Sequence, residues 1–174
     1  MSFNTKIFKS KILNNVVIFK PSVGNDRRGT IFTSFNKQNY EKYLPARVHF
    51  IHDKFAQSKN NVLRGLHGDT KTWKLVSCIS GEIFQVAADF QPNSPSYLKW
   101  DSWILNEENK LQILIPPNFV NGYYVMSQKA TFHYKLAYNG KYFDVDEQKV
   151  VKWNDERLNI LWPCDNPILS DRDK

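Results

Sequence analysis

Cysteine is scarce, glycine is sparse and no long apolar run occurs, and each shortage removes a class of protein. The two cysteines, Cys78 and Cys164, form no metal-type pair, and two are too few for a disulfide framework. Only seven glycines occur in 174 residues, with no low-complexity stretch and no internal repeat, which argues against disorder outside the termini. No stretch approaches the length of a bilayer-spanning helix. The opening segment, "MSFNTKIFKSKILNNVVIFKPS", has lysines but only a short apolar run at residues 16–19, without a leader core or a small-residue cleavage site. The chain is therefore expected to be soluble and cytoplasmic, a single domain over residues 1–174 with enough length for a proper core.

Charge is lopsided but not concentrated. The formal net charge is +7, yet Lys59, Arg64, Lys71, Lys74, Lys99, Lys110 and Lys135 are scattered through strand-like segments and turns. Such scatter favours a small phosphorylated ligand over nucleic acid, for which a basic stripe or run is the usual footprint. Most individual lysines are expected simply to be solvated.

What the chain has in quantity is aromatic residues: twelve Phe, eight Tyr and five Trp, spread along most of its length. Segments 48–55, 61–67, 73–79, 82–90, 98–105, 111–115, 122–127 and 130–138 are short and strand-like, several with alternating polarity. They are separated by turns such as Ser80-Gly81, "QPNSPS" and "NEENK". This spacing, with almost no helical periodicity, predicts an all-β sandwich or barrel with one short helix over residues 36–44.

The stretch "RGLHGDTKTWKLV" places a lone histidine, His67, between two such strands. Spacing alone leaves two readings open, a buried imidazole donating to a backbone carbonyl and a chemically active base. A transition-metal site needs several converging imidazoles or carboxylates, whereas His67 is followed by Gly68 and Asp69. His49 and His52 show no ligand spacing, so neither metal nor cofactor is expected. His133 and Tyr134 adjoin in an alternating strand and must face opposite sides, with Tyr134 taken to face inward. Together with Lys74, Tyr134 and Asp89 around one cavity, a histidine suits proton abstraction next to a carbonyl, with lysine for the oxyanion and tyrosine to return the proton.

The segments "NVLRGLH", "KLVSCISGEIFQVAADFQPNSPSYLKW", "LNEENKLQILIPPNFVNGYYVMS", "FHYK", "VKWNDERLNILWP" and "PILSDRD", in this order from about Arg28 to Asp173, closely resemble the nucleotide-sugar 3,5-epimerase family. The resemblance implies a metal-free cupin-type barrel, a double-stranded β-helix or jelly roll. It also implies a homodimer with crossed N-terminal strands and a nucleoside-diphosphate 4-keto sugar as substrate. It assigns His67 as the base, Asp173 as its orienting carboxylate, Lys74 to the enolate oxygen and Tyr134 as the acid. Arg64 would contact the diphosphate, and Arg28 would reach the neighbouring subunit's ligand.

The chain departs from the family pattern at three positions that the resemblance places beside the sugar. Asn121 and Thr33 stand where histidine and glutamate are usual, and His52 where glutamine is usual. With the catalytic pair kept, this implies an altered sugar or one inversion in place of two. A dTDP-linked hexose and a GDP-linked heptose of surface polysaccharide synthesis both remain open. The rivals are a sugar 3,4-ketoisomerase on the same barrel, whose pattern has a further histidine where this chain has Gly68, and a non-catalytic nucleotide-sugar-binding barrel.

Overall fold

The computed structural model describes residues 4–174; residues 1–3, which open the segment searched above for a leader, lie outside the described residues. Thirteen strands dominate it. They are β1 (Thr5–Lys9), β2 (Val17–Pro21), β3 (Val23–Asp26), β4 (Gly29–Phe32), β5 (Phe50–Lys59), β6 (Leu63–Gly68), β7 (Trp73–Ser80), β8 (Glu82–Asp89), β9 (Trp100–Asn106), β10 (Gln112–Ile115), β11 (Phe119–Val125), β12 (Lys129–Ala137) and β13 (Lys149–Val150). A six-stranded sheet, β1-β2-β10-β7-β12-β5, faces a five-stranded one, β13-β6-β11-β8-β9, and β3 and β4 form a separate hairpin. Every pairing between these strands is antiparallel. The all-β sandwich or barrel expected from the strand spacing is borne out by these two facing antiparallel sheets.

Alternation decides which side chains enter the space between the sheets. From the six-stranded sheet come Ile18, Val76, Cys78, Ile113, Ile115, Ala130 and Phe132; from the other come Ile83, Ala87, Phe119, Tyr123 and Val125. The outer faces are covered separately. Leu66, Val86, Ala88 and Val120 lie under a C-terminal segment that brings Val151 and Leu158. Phe19, Leu75 and Leu114 lie under Tyr40. The predicted helix shrinks to one turn, α1 (Lys37–Tyr40), capped by Asn36 and continued as a 3-10 turn at Glu41–Tyr43. Its worth is packing: Tyr40 stacks on Phe19 at 4.5 Å and donates to Gln112 Oε1 at 2.7 Å.

The strand that carries His67 is irregular at one point. Asn121 pairs with His67 and Tyr123 with Arg64, so two residues of β6, Gly65 and Leu66, oppose Gly122 alone. This is a β-bulge. In a regular strand Arg64 and His67, three apart, would face opposite sides; the extra residue turns both to the face shared by Asn121 and Tyr123. Glycine is required there, because Gly65 has φ +129° and a Cβ on it would lie 2.5 Å from the Gly122 Cα.

Gly65→Ala is therefore expected to cost about 3 kcal/mol or more, since backbone strain and a steric clash add. Gly140, at φ +74° but with nothing within 4 Å of the point a Cβ would occupy, provides the comparison. Gly140→Ala should cost about 1–2 kcal/mol, the strain of a left-handed residue alone. Denaturant unfolding of both variants checks this, and equal losses would remove the clash from the account.

Candidate active site

A cavity of about 280 Å³ opens between the sheets. Its walls bring together six of the nine residues singled out in the sequence: His67, Tyr134, Lys74, Asp173, Arg64 and Asn121. His67 and Arg64 come from β6 and Asn121 from β11, in one sheet; Lys74 comes from β7 and Tyr134 from β12, in the other. Imidazole and phenol thus stand on opposed walls.

Asp173 arrives from the end of the chain. Ile168 is clipped to the start of β6, accepting from Leu63 N and donating to Asn61 O at 2.7 Å. A 3-10 turn at Asp171–Asp173 then places the carboxylate against His67. His67 Nε2 and Asp173 Oδ1 are 2.6 Å apart, and Ser170 Oγ donates to the other oxygen at 2.8 Å. Asp173 is only 3% exposed. Burial by itself would raise its carboxyl, but the hydrogen bonds from His67 and Ser170, aided by the charge of Arg172, hold it below the ordinary value. The carboxylate is thus ionised and fixes which imidazole nitrogen keeps its proton.

Lys74 reaches across the cavity to the opposite sheet. Its ammonium donates to the His67 carbonyl and to Asn121 Oδ1, both at 3.0 Å, which leaves one donor for a ligand. Desolvation brings its pKa down to about 8, opposed by Asp69 and assisted by Arg172. Tyr134 is partly buried, and its hydroxyl has no hydrogen-bond partner among the described residues. Burial pushes this phenol above its ordinary value, against the pull of Lys54 and Arg64, so it stays protonated.

Arg64, exposed at the rim, donates from Nε to Ser58 Oγ at 3.0 Å. The other three residues stand outside the cavity lining. Arg28, at the tip of the β3–β4 hairpin, is paired with Asp26 at 2.6 Å and is 84% exposed along its side chain. Thr33 follows β4, and His52 sits behind Tyr142, its ring edge-on at 4.9 Å. Asp89 is fully buried away from the cavity, accepting from Gln91 N, Ser94 Oγ and Ser96 Oγ, and so organises the loop after β8.

Besides Tyr123 on β11, five polar lining residues were not anticipated: Lys54, Tyr142, Gln148, Ser170 and Arg172. Lys54 was legible, because it shares the inward period-two face of β5 with Ala56 and Ser58. The others lie in irregular segments with no periodicity to read. Gln148 ties two of them together, donating to the Tyr142 hydroxyl and accepting from Arg172. Among the described residues no three His, Cys, Asp or Glu side chains converge as metal ligands, and no helix is long and apolar enough to cross a membrane.

Comparison with known proteins gives one consistent answer. Residues 10–174 match the family model described as dTDP-4-dehydrorhamnose 3,5-epimerase. The chain is 41% identical over 162 residues to the dTDP-4-dehydrorhamnose 3,5-epimerase of Shigella flexneri, covering 91% of this chain and 88% of that relative. The protein of the same name from Escherichia coli strain K12 is 40% identical over 166 residues, with 93% and 88% covered. A crystal structure of dTDP-6-deoxy-D-glucose-3,5-epimerase from Legionella pneumophila, in complex with dTDP-4-keto-L-rhamnose, matches with a TM-score of 0.89 at 35% identity. That match covers 98% of this chain and 90% of the other.

The lysine environment makes a measurable claim. Lys74 should titrate at about 8, being cationic below that pH and neutral above it. Asp69→Asn removes a charge that favours the ammonium and should lower the midpoint further; Arg172→Gln removes a repulsion and should raise it. NMR titration of the lysine Cε resonances, assigned with Lys74→Met, reads all three. An unshifted lysine midpoint would contradict the geometry.

Proposed function

The chain belongs to the dTDP-4-dehydrorhamnose 3,5-epimerase family, carbohydrate epimerases of the isomerase class, and from that premise we propose that it inverts C3, and more slowly C5, of a dTDP-linked 4-keto-6-deoxy sugar. The observation that carries the reading is the opposition of a carboxylate-bound imidazole and an unpartnered phenol across one cavity. The C4 ketone acidifies the protons on C3 and C5. The His67 nitrogen not engaged by Asp173 takes the C3 proton, and the bond's electrons pass to the ketone oxygen as an enolate. The remaining Lys74 donor stabilises that oxygen. Tyr134, on the far wall, returns a proton to the opposite face of the carbon and inverts it.

A positioned base is worth roughly 10²–10⁴ in rate. The arginine at the rim, Arg64, suits one oxygen pair of the diphosphate through its planar fork. Asn121 holds Lys74 through its amide oxygen at 3.0 Å. An amide cannot change charge as an imidazole can, and we assign to it the weaker hold on the ring that makes C5 the slower centre.

The same reading includes a homodimer that completes the site. Among the described residues the β3–β4 hairpin pairs with no other strand, and it carries Ile31 at 64% exposure and the exposed Arg28. The edge strand β5 offers Ile51 and Phe55, 62% and 64% exposed. These surfaces support an arm that reaches a second copy, with Arg28 delivered to that copy's ligand. Sedimentation at micromolar concentration should show a dimer; a monomer with full activity would remove this part of the reading.

Deuterium labelling at each carbon of a dTDP-linked 4-keto-6-deoxy sugar in heavy water tests the chemistry. Native protein should label C3 first and C5 later. His67→Asn should lose about a hundredfold or more in exchange. Tyr134→Phe should still exchange into retained substrate while losing inversion. Asn121→His should bring the C5 rate closer to that of C3. Equal early labelling of both carbons in native protein, or His67→Asn with nearly native exchange, would refute the assignment.

A further inference from the structure

Lys54 is a charge in the cavity that the chemistry above leaves unused. It lies directly opposite Tyr134 in the register of β5 and β12. Its side chain turns into the cavity, where the ammonium sits 5.9 Å from the Tyr134 ring centroid and 5.1 Å from that of Tyr142. Among the described residues it has no ion-pair or hydrogen-bond partner. The neighbouring carboxylate, Asp53, points to the other side of β5 and is held by His133 at 2.7 Å and Lys135 at 2.6 Å. An ammonium fixed over two phenol rings without a counter-ion is a positioned charge, and the ring it faces across the strand pair is the proposed acid.

Other groups face Tyr134 across the cavity. Arg64 and His67 come from β6, Lys74 from β7, Tyr123 from β11, Tyr142 from the loop after β12, and Arg172 and Asp173 from the chain end. On the reading above, Arg64 gives its charge to the diphosphate, Lys74 to the enolate oxygen and Asp173 to His67. Arg172 donates to Gln148 and acts on Asp173, so of the cavity's cations Lys54 is the one that lies against the Tyr134 ring and is left to answer a negative charge there.

We propose that Lys54 is a positioning residue for the reprotonation step, stabilising the Tyr134 phenolate that forms when the phenol gives up its proton. In that step the Tyr134 O–H bond breaks and a C–H bond forms at the substrate carbon from the enolate's electron pair. The phenolate then faces the ammonium until it regains a proton from water, while the proton held by His67 is released to water. Among the charges acting on Tyr134, the Lys54 ammonium opposes the effect of burial more than Arg64 does. This inference rests on the assignment of Tyr134 as the acid.

The test uses full-length native protein, Lys54→Met, Lys54→Arg and Tyr134→Phe, with dTDP-linked 4-keto-6-deoxy sugar in heavy water. Removing a cation at this range should raise the Tyr134 phenol by about one pH unit or more in an ultraviolet titration, with Tyr134→Phe subtracted to isolate its signal. By Brønsted behaviour, Lys54→Met should lower the ratio of inverted to retained labelled sugar by about threefold to tenfold. KM should move little, and Lys54→Arg should restore both the ratio and the titration. Lys54→Met with native ratio and native titration would overturn the inference, as would a loss confined to KM. Tyr134→Phe that still inverts normally would overturn the acid assignment itself, a different failure with a different signature.

Discussion

The close approach of β6 and β11 at Gly65 and Gly122 is the constraint on which the site depends. A Cβ on Gly65 would stand 2.5 Å from the facing Cα, so the strands meet there only as glycines. The bulge that results lets Arg64 and His67 face one cavity, which regular pleating forbids for residues three apart. Without it, either the rim arginine or the imidazole would turn toward the outer face, where Leu66 is packed. A local backbone irregularity thus combines a group suited to phosphate and a group suited to a proton on the same six-residue strand.

Around that strand the electrostatics are one-sided. Among the described residues Lys54, Arg64, Lys74 and Arg172 line the cavity with a single carboxylate, Asp173, already engaged by His67 and Ser170. A cavity so charged favours a diphosphate on arrival and an enolate during reaction, because fixed charges that await developing negative charge need not reorganise. The low value of Lys74, about 8, follows from the same desolvation that strengthens its interaction with an oxyanion. Opposed sheets supply the remaining requirement, a base and an acid on the two faces of one carbon.

Legibility in the sequence followed regularity. The eight segments from residue 48 to 138 were readable because period-two alternation and turn residues mark them, and Tyr134 could be turned inward because His133 must then turn out. His133 does so, pairing with Asp53 at 2.7 Å. Strands β1 to β4 and the short β13 gave too little alternation to be read from pattern. The His67–Asp173 contact joins residues 106 apart in sequence and depends on a clipped C-terminal tail; no local pattern could indicate it, and only the family resemblance did. Lys54 was available to the alternation argument on β5 but carried no motif to draw attention to it.

The central claim is that two groups on opposed walls share the work, one removing the proton and another returning it. Substrate deuterated at C3 and turned over once in ordinary water tests this most directly. The account predicts inverted product free of the original deuterium, because His67 holds the label on one face while Tyr134 supplies hydrogen from the other. Inverted product that retains the substrate's own deuterium at C3 would mean that one group carried it across, and would contradict the two-wall mechanism.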